Sequence, residues 1–495
     1  MIDEETENSQ SEPGSSPSPH QSSESICPAQ LTTAIDAVIN RPQFRRTRWG
    51  ILIERLSPNP TNSALSVNQD NALYRRDAER YFIPASNVKL LTTAAALHKL
   101  GREFRIRTSI YDVGSGSLRV VGRGDPTLTD TQLTELAQQL KRQGVRKVQQ
   151  LVVDDSYFQG SAVNSSWEWE DVQADYGASV NSLILNQNAI ALRLSPQKPG
   201  QPLQVSWGDA IAGKQWQVEN DSITVEGANA QTLTTNSVSQ TAVEVTALLG
   251  KPVLQIRGQL AVDSEPESFG LAILDPAVYF LQHFQNVLAA EGITVAQASV
   301  ATSRHVGDER ELTAVESPSL ATLLMETNQQ SNNLYAEVLL RSLGAISALQ
   351  NQNSDQIGLS VVKQTLTEIG VDPESYVLVD GSGLSRKNLV SPEALVQTLK
   401  GMAQSPNAST YLASLPIAGI SGTLGHRFRD TPAQGNLRAK TGTISGVSAL
   451  SGYLNIPDYQ PLVFSIIVNQ SNQPVTTLRQ GIDEIALLLT RLRSC

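Results

Sequence analysis

Hydrophobic and polar positions follow two different periods along this chain. Before residue 104, apolar residues at helical spacing predict a helix over 31–39, and an alternating segment predicts a strand over 49–56. From 104 to 298 the pattern consists of short alternating runs separated by Gly, Pro and Asp, which predict a β-rich segment. Its predicted elements are strands at 105–111, 148–153 and 189–194 and a helix near 133–141.

Helical periodicity returns towards the end of this β-rich segment and continues beyond it. The elements predicted from there on are helices at 276–290, 320–343 and 477–493 and strands at 448–454 and 462–469. A first strand, central helices, and late strands before a terminal helix fit a sheet whose edge strands come from both ends of the chain. We therefore predict one discontinuous domain, residues 27–103 and 299–495, that is split by an inserted β-rich part, residues 104–298.

Composition and charge narrow the class of protein. The chain has 495 residues, of which 40% are hydrophobic. No run reaches the roughly 18 to 20 uncharged apolar residues of a membrane helix, so no membrane span is expected. The net charge of −10 disfavours contact with a phosphate backbone, and nucleic acid is not an expected partner. Residues 1–26 are rich in Ser, Pro, Glu and Gln and show no signal peptide, which predicts a disordered leader.

The few cysteine and histidine residues bear on metals and on the cellular compartment. Cys27 and Cys495 are the only cysteines, which excludes a Cys-based zinc site and a disulfide scaffold. The two thiols either stay unpaired or form one bridge between the ends of the folded unit, and such a bridge needs an oxidising compartment. The five histidines are scattered without ligand spacing. We expect no metal and no cofactor.

One Ser-x-x-Lys pair lies where nucleophilic catalysis would need it. Ser86 follows Pro84 at the predicted start of an apolar helix, and Lys89 lies one turn later on the same face. A serine hydroxyl needs a nearby base, and a lysine acts as that base when desolvation or a second cation lowers its pKa. A helix N-terminus also offers free amides to a developing oxyanion. Ser86 is the candidate nucleophile and Lys89 the candidate base.

The Ser-x-x-Lys spacing alone is a weak signal, because two other pairs in the chain share it. Ser195 and Lys198 enclose Pro196, which argues against a helical turn. Ser360 and Lys363 fall in the middle of a predicted helix, where the hydroxyl bonds its own backbone and no free amides collect. Neither pair has the helix-start position of the first.

Two further motifs distinguish Ser86 and Lys89 from the other two Ser-x-x-Lys pairs. They follow it in the order of a three-part signature shared by serine penicillin-binding proteins and class A β-lactamases. Taken singly, each part has a structural explanation as a helix cap, a turn residue or a solvated strand end, but the ordered combination favours a catalytic site. The motifs are Ser331-Asn332-Asn333 and Lys440-Thr441-Gly442-Thr443.

Each polar residue of these motifs has a predicted catalytic role. Ser331 can relay a proton to the leaving amine, while the Asn333 amide can bond Lys89 and hold the substrate. Lys440 supplies positive potential that helps to keep Lys89 neutral.

The second motif also has predicted roles in substrate binding. Thr441 can bind a terminal carboxylate, and Gly442 lets the strand backbone approach the substrate closely. The amide of Thr443 can complete an oxyanion hole with the amide of Ser86.

With these motifs, the sequence resembles the D-alanyl-D-alanine carboxypeptidase/endopeptidase family, the low-molecular-mass class C penicillin-binding proteins of the penicillin-binding protein 4 type. The resemblance extends from about Cys27 to the end of the chain. The long spacing from Ser86 to Ser331 is typical of this family rather than of β-lactamases. Further stretches similar to the family are 124–128, 154–158, 380–386 and 422–424.

The resemblance implies an α/β (α+β) fold: a penicillin-recognising domain with a five-stranded antiparallel sheet flanked by helices, split by a large β-rich insertion. It also implies that side chains of the insertion contact the peptide stem, here Trp169, Asp171 and Tyr176, with Arg386 on the other side. Aromatic packing and a surface ion pair explain these four residues equally well.

The function predicted from motifs and resemblance together is acyl transfer by a serine-type D-Ala-D-Ala carboxypeptidase, a DD-endopeptidase, or both. Its partners would be peptidoglycan stem peptides, with β-lactam antibiotics as inhibitors. The chemistry implies a periplasmic or other extracytoplasmic location. Two alternatives stay open: a β-lactamase-like hydrolase, which the motif spacing disfavours, and a non-catalytic peptidoglycan-binding scaffold.

Overall fold

A computed structural model describes residues 25–56, 71–227, 242–301, 310–347 and 352–495. Residues 1–24, most of the predicted leader, lie outside these ranges. The helices are α1 (Pro28–Ile39), α2 (Val88–Leu100), α3 (Asp130–Arg142), α4 (Ala210–Gly213), α5 (Pro276–Ala290), α6 (Leu320–Gln329), α7 (Asn333–Ser347), α8 (Ser354–Glu368), α9 (Pro392–Ala403), α10 (Ala408–Ser414) and α11 (Val475–Leu489). Of the helices in the described ranges, none has the length and apolar character needed to span a bilayer.

The strands account for most of the predicted alternating runs. They are β1 (Arg48–Arg55), β2 (Ala72–Arg76), β3 (Arg107–Asp112), β4 (Ser117–Val121), β5 (Lys147–Asp154), β6 (Ala189–Ser195), β7 (Gln204–Trp207), β8 (Gln217–Asn220), β9 (Ile223–Val225), β10 (Glu244–Ala247), β11 (Val253–Arg257), β12 (Gln259–Ala261), β13 (Glu267–Ala272), β14 (Thr294–Ala301), β15 (Arg310–Glu316), β16 (Tyr376–Val377), β17 (Leu389–Val390), β18 (Leu437–Ile444), β19 (Val447–Leu454) and β20 (Leu462–Asn469).

The central sheet is antiparallel, with five strands in the order β18-β19-β20-β1-β2. Its two edge strands come from the late and the early part of the chain, as predicted. Ile51 and Ile53 pack with α1 and α11 on one face, and Leu52 packs with α2 and α9 on the other. Because successive strand side chains point to opposite faces, β1 needs apolar residues throughout, and the sheet lies between two hydrophobic cores.

A second five-stranded sheet, in the order β14-β5-β4-β3-β15, packs with α3 and α5 around a third apolar core. Three smaller groups accompany it: β13-β6-β7, β10-β11-β8 and β12-β9. The last two strands of this second five-stranded sheet, β14 and β15, end at Ala301 and Glu316. They therefore extend past residue 298, where the predicted insertion ends.

The predicted helical stretch 320–343 consists of two helices, α6 and α7. Ser331 lies between them with a φ of +61°, in the left-handed region that interrupts a helix. Periodicity does not detect this break, because both helices bury apolar side chains on their inner faces. The interruption leaves Ser331 in a loop and makes Asn333 the first residue of α7.

A disulfide joins Cys27 and Cys495, with a Cα–Cα distance of 5.8 Å and a sequence separation of 468 residues. The bridge continues a short backbone pairing. The Ile26 amide donates to the Arg491 carbonyl oxygen at 2.8 Å, and the Arg493 amide donates to the Ile26 carbonyl oxygen at 3.2 Å. Of the two states open to these thiols, the structure contains the bridge, which locks α1 beside α11 on the central sheet.

A protein carrying both Cys27→Ser and Cys495→Ser is expected to unfold at a lower temperature than the oxidised wild type. A cross-link that closes so long a loop restricts the unfolded chain, and such bridges contribute about 2–5 kcal/mol. Circular dichroism during heating, with and without reductant, measures the effect. Reductant should lower the wild-type midpoint to that of the double variant and leave the variant unchanged. Equal midpoints for oxidised wild type and variant would contradict the prediction.

Candidate active site

Ser86 lies in a short 3₁₀ turn, Ala85–Asn87, that leads directly into α2. The Asn87 side-chain amide donates to Ser451 Oγ at 2.7 Å, which ties the turn to β19. Ala85 is fully buried with a φ of +48°, a strained conformation that persists only where the surroundings enforce it. Gly383 packs against this residue so closely that a Cβ on the glycine would lie 2.0 Å from the Ala85 carbonyl oxygen. The packing thus fixes the backbone of the candidate nucleophile.

Lys89 is fully buried one turn further along α2. Its Nζ lies 3.0 Å from Ser86 Oγ, 2.6 Å from Asn333 Oδ1 and 2.7 Å from the carbonyl oxygen of Ser382. Burial lowers the pKa of Lys89 to about 7, although two nearby carboxylates act in the opposite direction. A substantial fraction of this side chain is therefore the neutral amine at physiological pH.

The three neighbours of Lys89 Nζ determine the direction of its lone pair. A neutral amine has two N–H groups and one lone pair. The Ser382 carbonyl can only accept, and Asn333 also presents its acceptor, since its Nδ2 donates to the Tyr176 carbonyl oxygen at 2.9 Å. Both N–H groups are thereby engaged, and the lone pair is directed at the Ser86 hydroxyl. This arrangement can remove the hydroxyl proton.

A second buried lysine adjoins the first. Lys440 lies on β18 and is fully buried, and its Nζ donates to Ser331 Oγ at 2.8 Å and to the Thr441 carbonyl oxygen at 2.9 Å. Burial and, secondarily, the positive charge of Lys89 hold the pKa of Lys440 well below its usual range. The structure thus brings together the five predicted catalytic residues from three distant parts of the chain.

The remainder of the second motif forms the open edge of the site. Thr441 Oγ1 bonds Thr423 Oγ1 at 2.8 Å, and an Arg479 guanidinium N–H donates to Thr443 Oγ1 at 3.3 Å. A Cβ on Gly442 would lie 2.7 Å from the carbonyl oxygen of Pro84. Glycine at this position therefore allows β18 to lie directly against the turn that carries the candidate nucleophile.

The insertion reaches this site through the segment around Tyr176. Besides the backbone contact to Asn333, the Tyr176 hydroxyl donates to Asp171 Oδ1 at 3.1 Å. Burial raises the pKa of the Asp171 carboxyl. Trp169 and Tyr176 are 43% and 50% exposed, so neither ring is packed inside the protein. Tyr176 therefore lies against Asn333 and is bonded to Asp171, and the rings of Trp169 and Tyr176 have surface open to solvent.

Arg386 connects three segments of the chain. One guanidinium N–H donates to the Ser445 carbonyl oxygen at 2.6 Å, in the turn between β18 and β19. Its Nε lies 3.3 Å from a carboxylate oxygen of Glu168, beside the predicted insertion residues. Arg386 therefore lies between the β18–β19 turn and the segment that carries Trp169.

Two buried carboxylates next to Lys89 are site residues that sequence reasoning did not identify. Glu337 lies one helical turn after Asn333 on α7, and Asp380 begins the 380–386 stretch that carries Ser382. Part of the evidence for Glu337 was visible in the sequence, because an acidic residue in an apolar helix is unusual and needs a partner. No pattern in the sequence connects it with Lys89.

The other two Ser-x-x-Lys pairs have no comparable surroundings. Ser195 ends β6, so its pair is not helical. Ser360 Oγ donates to the Gln356 carbonyl oxygen of its own helix α8 at 3.1 Å, as predicted. Within the ranges given above, no group of three or more His, Cys, Asp or Glu side chains could hold a metal ion.

Comparison with known proteins connects this constellation to one family. The model of the D-Ala-D-Ala carboxypeptidase 3 (S13) family matches residues 31–491. The chain belongs to this family. The predicted family is therefore confirmed, and with it the predicted D-Ala-D-Ala carboxypeptidase activity.

Individual relatives support the same assignment. A D-alanyl-D-alanine carboxypeptidase of Actinomadura sp. (strain R39) is 31% identical over 482 residues, covering 93% of this chain and 84% of the relative. Penicillin-sensitive carboxypeptidase A of Dictyostelium discoideum is 30% identical over 473 residues, covering 90% and 87%. The crystal structure of penicillin binding protein 4 from Haemophilus influenzae superposes with a TM-score of 0.76 at 24% identity, covering 94% of this chain and 98% of that one. The last match confirms the predicted fold.

Proposed function

We propose that this enzyme cleaves D-alanyl peptide bonds of peptidoglycan stem peptides through an acyl-enzyme on Ser86. One observation carries the proposal: the Nζ of a buried lysine with a pKa of about 7 lies 3.0 Å from Ser86 Oγ, while two acceptors engage its N–H groups. This geometry is suited to a general base acting on a serine nucleophile.

In acylation, Ser86 Oγ forms a bond to the carbonyl carbon of the D-alanyl residue, and its proton moves to Lys89 Nζ. The carbonyl π electrons move to oxygen, and the amides of Ser86 and Thr443 are proposed to bind this oxyanion. When the tetrahedral species collapses, the C–N bond breaks and the leaving nitrogen takes a proton. We assign that proton transfer to Ser331, whose hydroxyl accepts from Lys440 Nζ at 2.8 Å. Ser331 would give its hydroxyl proton to the nitrogen and receive in exchange the proton that Lys89 took from Ser86, which leaves Lys89 neutral again.

In deacylation, water attacks the ester carbonyl. Lys89 accepts one proton of the water, the ester C–O bond breaks, and Ser86 Oγ takes that proton from Lys89. The two half-reactions use the same base, so the enzyme returns to its starting protonation state without a cofactor.

Substrate binding is assigned to both rims of the site. Thr441 and Gly442 would align the substrate carboxylate and backbone along β18. The open rings of Trp169 and Tyr176, with the Asp171 carboxylate and Arg386 opposite, would contact the peptide stem. Their exposure at the rim favours this role over internal packing.

β-Lactams are proposed inhibitors, because attack on their strained amide would leave a Ser86 ester whose leaving group stays attached. The name of the Dictyostelium relative describes that protein as penicillin-sensitive. A periplasmic or other extracytoplasmic setting is proposed on two grounds: peptidoglycan lies outside the cytoplasm, and the Cys27–Cys495 bridge needs an oxidising compartment.

The two-part division of the chain also remains a proposal. Residues 27–103 with 299–495 would form the catalytic domain, and 104–298 the insertion. The pairing of β15 with β3 favours a second boundary closer to residue 316.

Digestion of purified muropeptides tests the function. Monomers that end in D-Ala-D-Ala should lose one D-alanine, measured as product mass, and excess penicillin should abolish the loss. Cross-linked dimers assayed in parallel separate carboxypeptidase from endopeptidase activity, because only the latter yields monomers. If neither substrate is cut by folded, oxidised protein, the proposal is wrong.

A further inference from the structure

Glu337 is a buried carboxylate that the mechanism above does not use. It is 2% exposed, on the face of α7 that also carries Asn333 one turn earlier. Its Oε1 accepts the backbone N–H groups of Gly381 and Ser382, at 2.9 and 2.7 Å. A carboxylate at such a site needs hydrogen bonds to offset its desolvation, and here both donors come from one short loop.

The carbonyl groups of the same two residues face α2. The Gly381 carbonyl oxygen accepts from Thr92 Oγ1 at 2.8 Å, and the Ser382 carbonyl oxygen accepts from Lys89 Nζ at 2.7 Å. The loop therefore forms a bridge: its amides bind Glu337 and its carbonyls bind the nucleophile helix. Any shift of the amides would move the acceptor that orients Lys89.

Asp380 holds the rest of the loop. Its carboxylate accepts from the backbone amides of Gly383 and Ser385 at 2.8 and 2.7 Å, and from the Trp167 indole N–H at 3.0 Å. Through Gly383, Asp380 holds the peptide unit whose carbonyl, that of Ser382, accepts from Lys89, whereas Glu337 holds the amide on the other side of Ser382.

We propose that Glu337 is a positioning residue for acylation, which holds the Ser382 carbonyl against Lys89 and supplies negative charge that sets the pH at which Lys89 becomes a free base. This inference rests on the proposed role of Lys89. Asn333 and Glu337 thus act on one amine from successive turns of α7, the first by direct contact and the second through the loop.

The charges around Lys89 and Glu337 determine whether loss of the Glu337 charge raises or lowers the pKa of Lys89. Negative charge on Asp380 and Glu337 raises the pKa of Lys89 against the larger lowering by burial. Burial, and then the charge of Asp380, raises the pKa of Glu337 itself above its usual value. The titratable groups that act on the two side chains or on their partners are Asp380 of the loop, Arg341 of α7, Asp355 of α8 beyond Arg341, and Lys440 of β18.

Glu337→Gln tests the charge. The variant keeps the shape of the side chain but removes its negative charge, so protonated Lys89 loses support and its pKa falls. The pH profile of kcat/KM is measured by D-alanine release from a synthetic D-Ala-D-Ala peptide. Its acidic limb should move to lower pH by about one unit, which is the lower end of the pKa shift that a nearby opposite charge causes. Glu135→Gln, an exposed glutamate on α3, is the control for net charge and should leave the limb in place.

Glu337→Asp tests the positioning. It keeps the charge but shortens the side chain, so the Ser382 carbonyl loses its support. We expect kcat to fall about tenfold, within the loss that small misplacement of a catalytic group causes, while the acidic limb stays at its wild-type pH.

Three results would overturn the inference: a folded Glu337→Gln variant whose limb coincides with that of wild type, a limb that moves to higher pH, or a Glu337→Asp variant with wild-type kcat. Thermal unfolding of each variant establishes that it is folded, and if Glu337→Gln does not fold, the kcat of Glu337→Asp decides. Wild-type protein without peptidase activity would instead contradict the proposed function, so the two failures are distinguishable.

Discussion

Ser86→Ala is expected to abolish both peptide cleavage and covalent labelling by penicillin. Without the hydroxyl no acyl-enzyme can form, and losses of about four orders of magnitude or more are usual when a serine nucleophile is removed. Intact-mass spectrometry after incubation with benzylpenicillin should show one adduct on the wild type and none on the variant. The muropeptide assay should show a parallel loss of D-alanine release.

The chain itself offers a matched control for this experiment. Ser360→Ala removes a serine with the same spacing to a lysine, but its Oγ bonds its own helix at 3.1 Å. This variant should acquire the adduct and cleave substrate like the wild type. An adduct that survives Ser86→Ala, or one that disappears with Ser360→Ala, would show that the nucleophile has been assigned incorrectly.

Lys89→Met is expected to cause the second largest loss, with kcat/KM reduced by about two to four orders of magnitude, the range for general base catalysis. Methionine approximates the length and volume of the buried side chain but cannot accept the Ser86 proton. Lys89→Arg should not restore activity, because a guanidinium stays protonated at any accessible pH. Rates of penicillin acylation measure the effect directly.

The pH dependence gives an independent check on Lys89. Because burial lowers its pKa to about 7, acylation by the wild type should increase as pH rises through about 7 and the neutral amine accumulates. Lys363→Met, in the pair with Ser360, is the matched control and should retain the wild-type profile. A wild-type acylation rate that stays constant across this range, or a Lys89→Met variant that acylates normally, would exclude Lys89 as the base.

Local pattern predicted the main elements well. The helix 276–290 and the strand 462–469 have the predicted bounds, because each is an uninterrupted run: the helix packs on one core, and the strand is buried on both faces. The interruption at Ser331 was not predictable in this way. A left-handed residue between two helices is maintained by packing and by Lys440, and both lie outside any local window.

The sequence by itself determined the reaction class and the candidate nucleophile. Helix-start position and motif order depend only on residue identity and spacing, and they separate Ser86 from two other serines with the same relation to lysine. The tertiary structure alone decided that Cys27 is bridged to Cys495, that Lys89 Nζ lies 3.0 Å from Ser86 Oγ, and that Glu337 binds the loop beside Lys89. Burial and electrostatic interaction depend on distance through space, and the groups concerned come together only when remote segments of the chain pack.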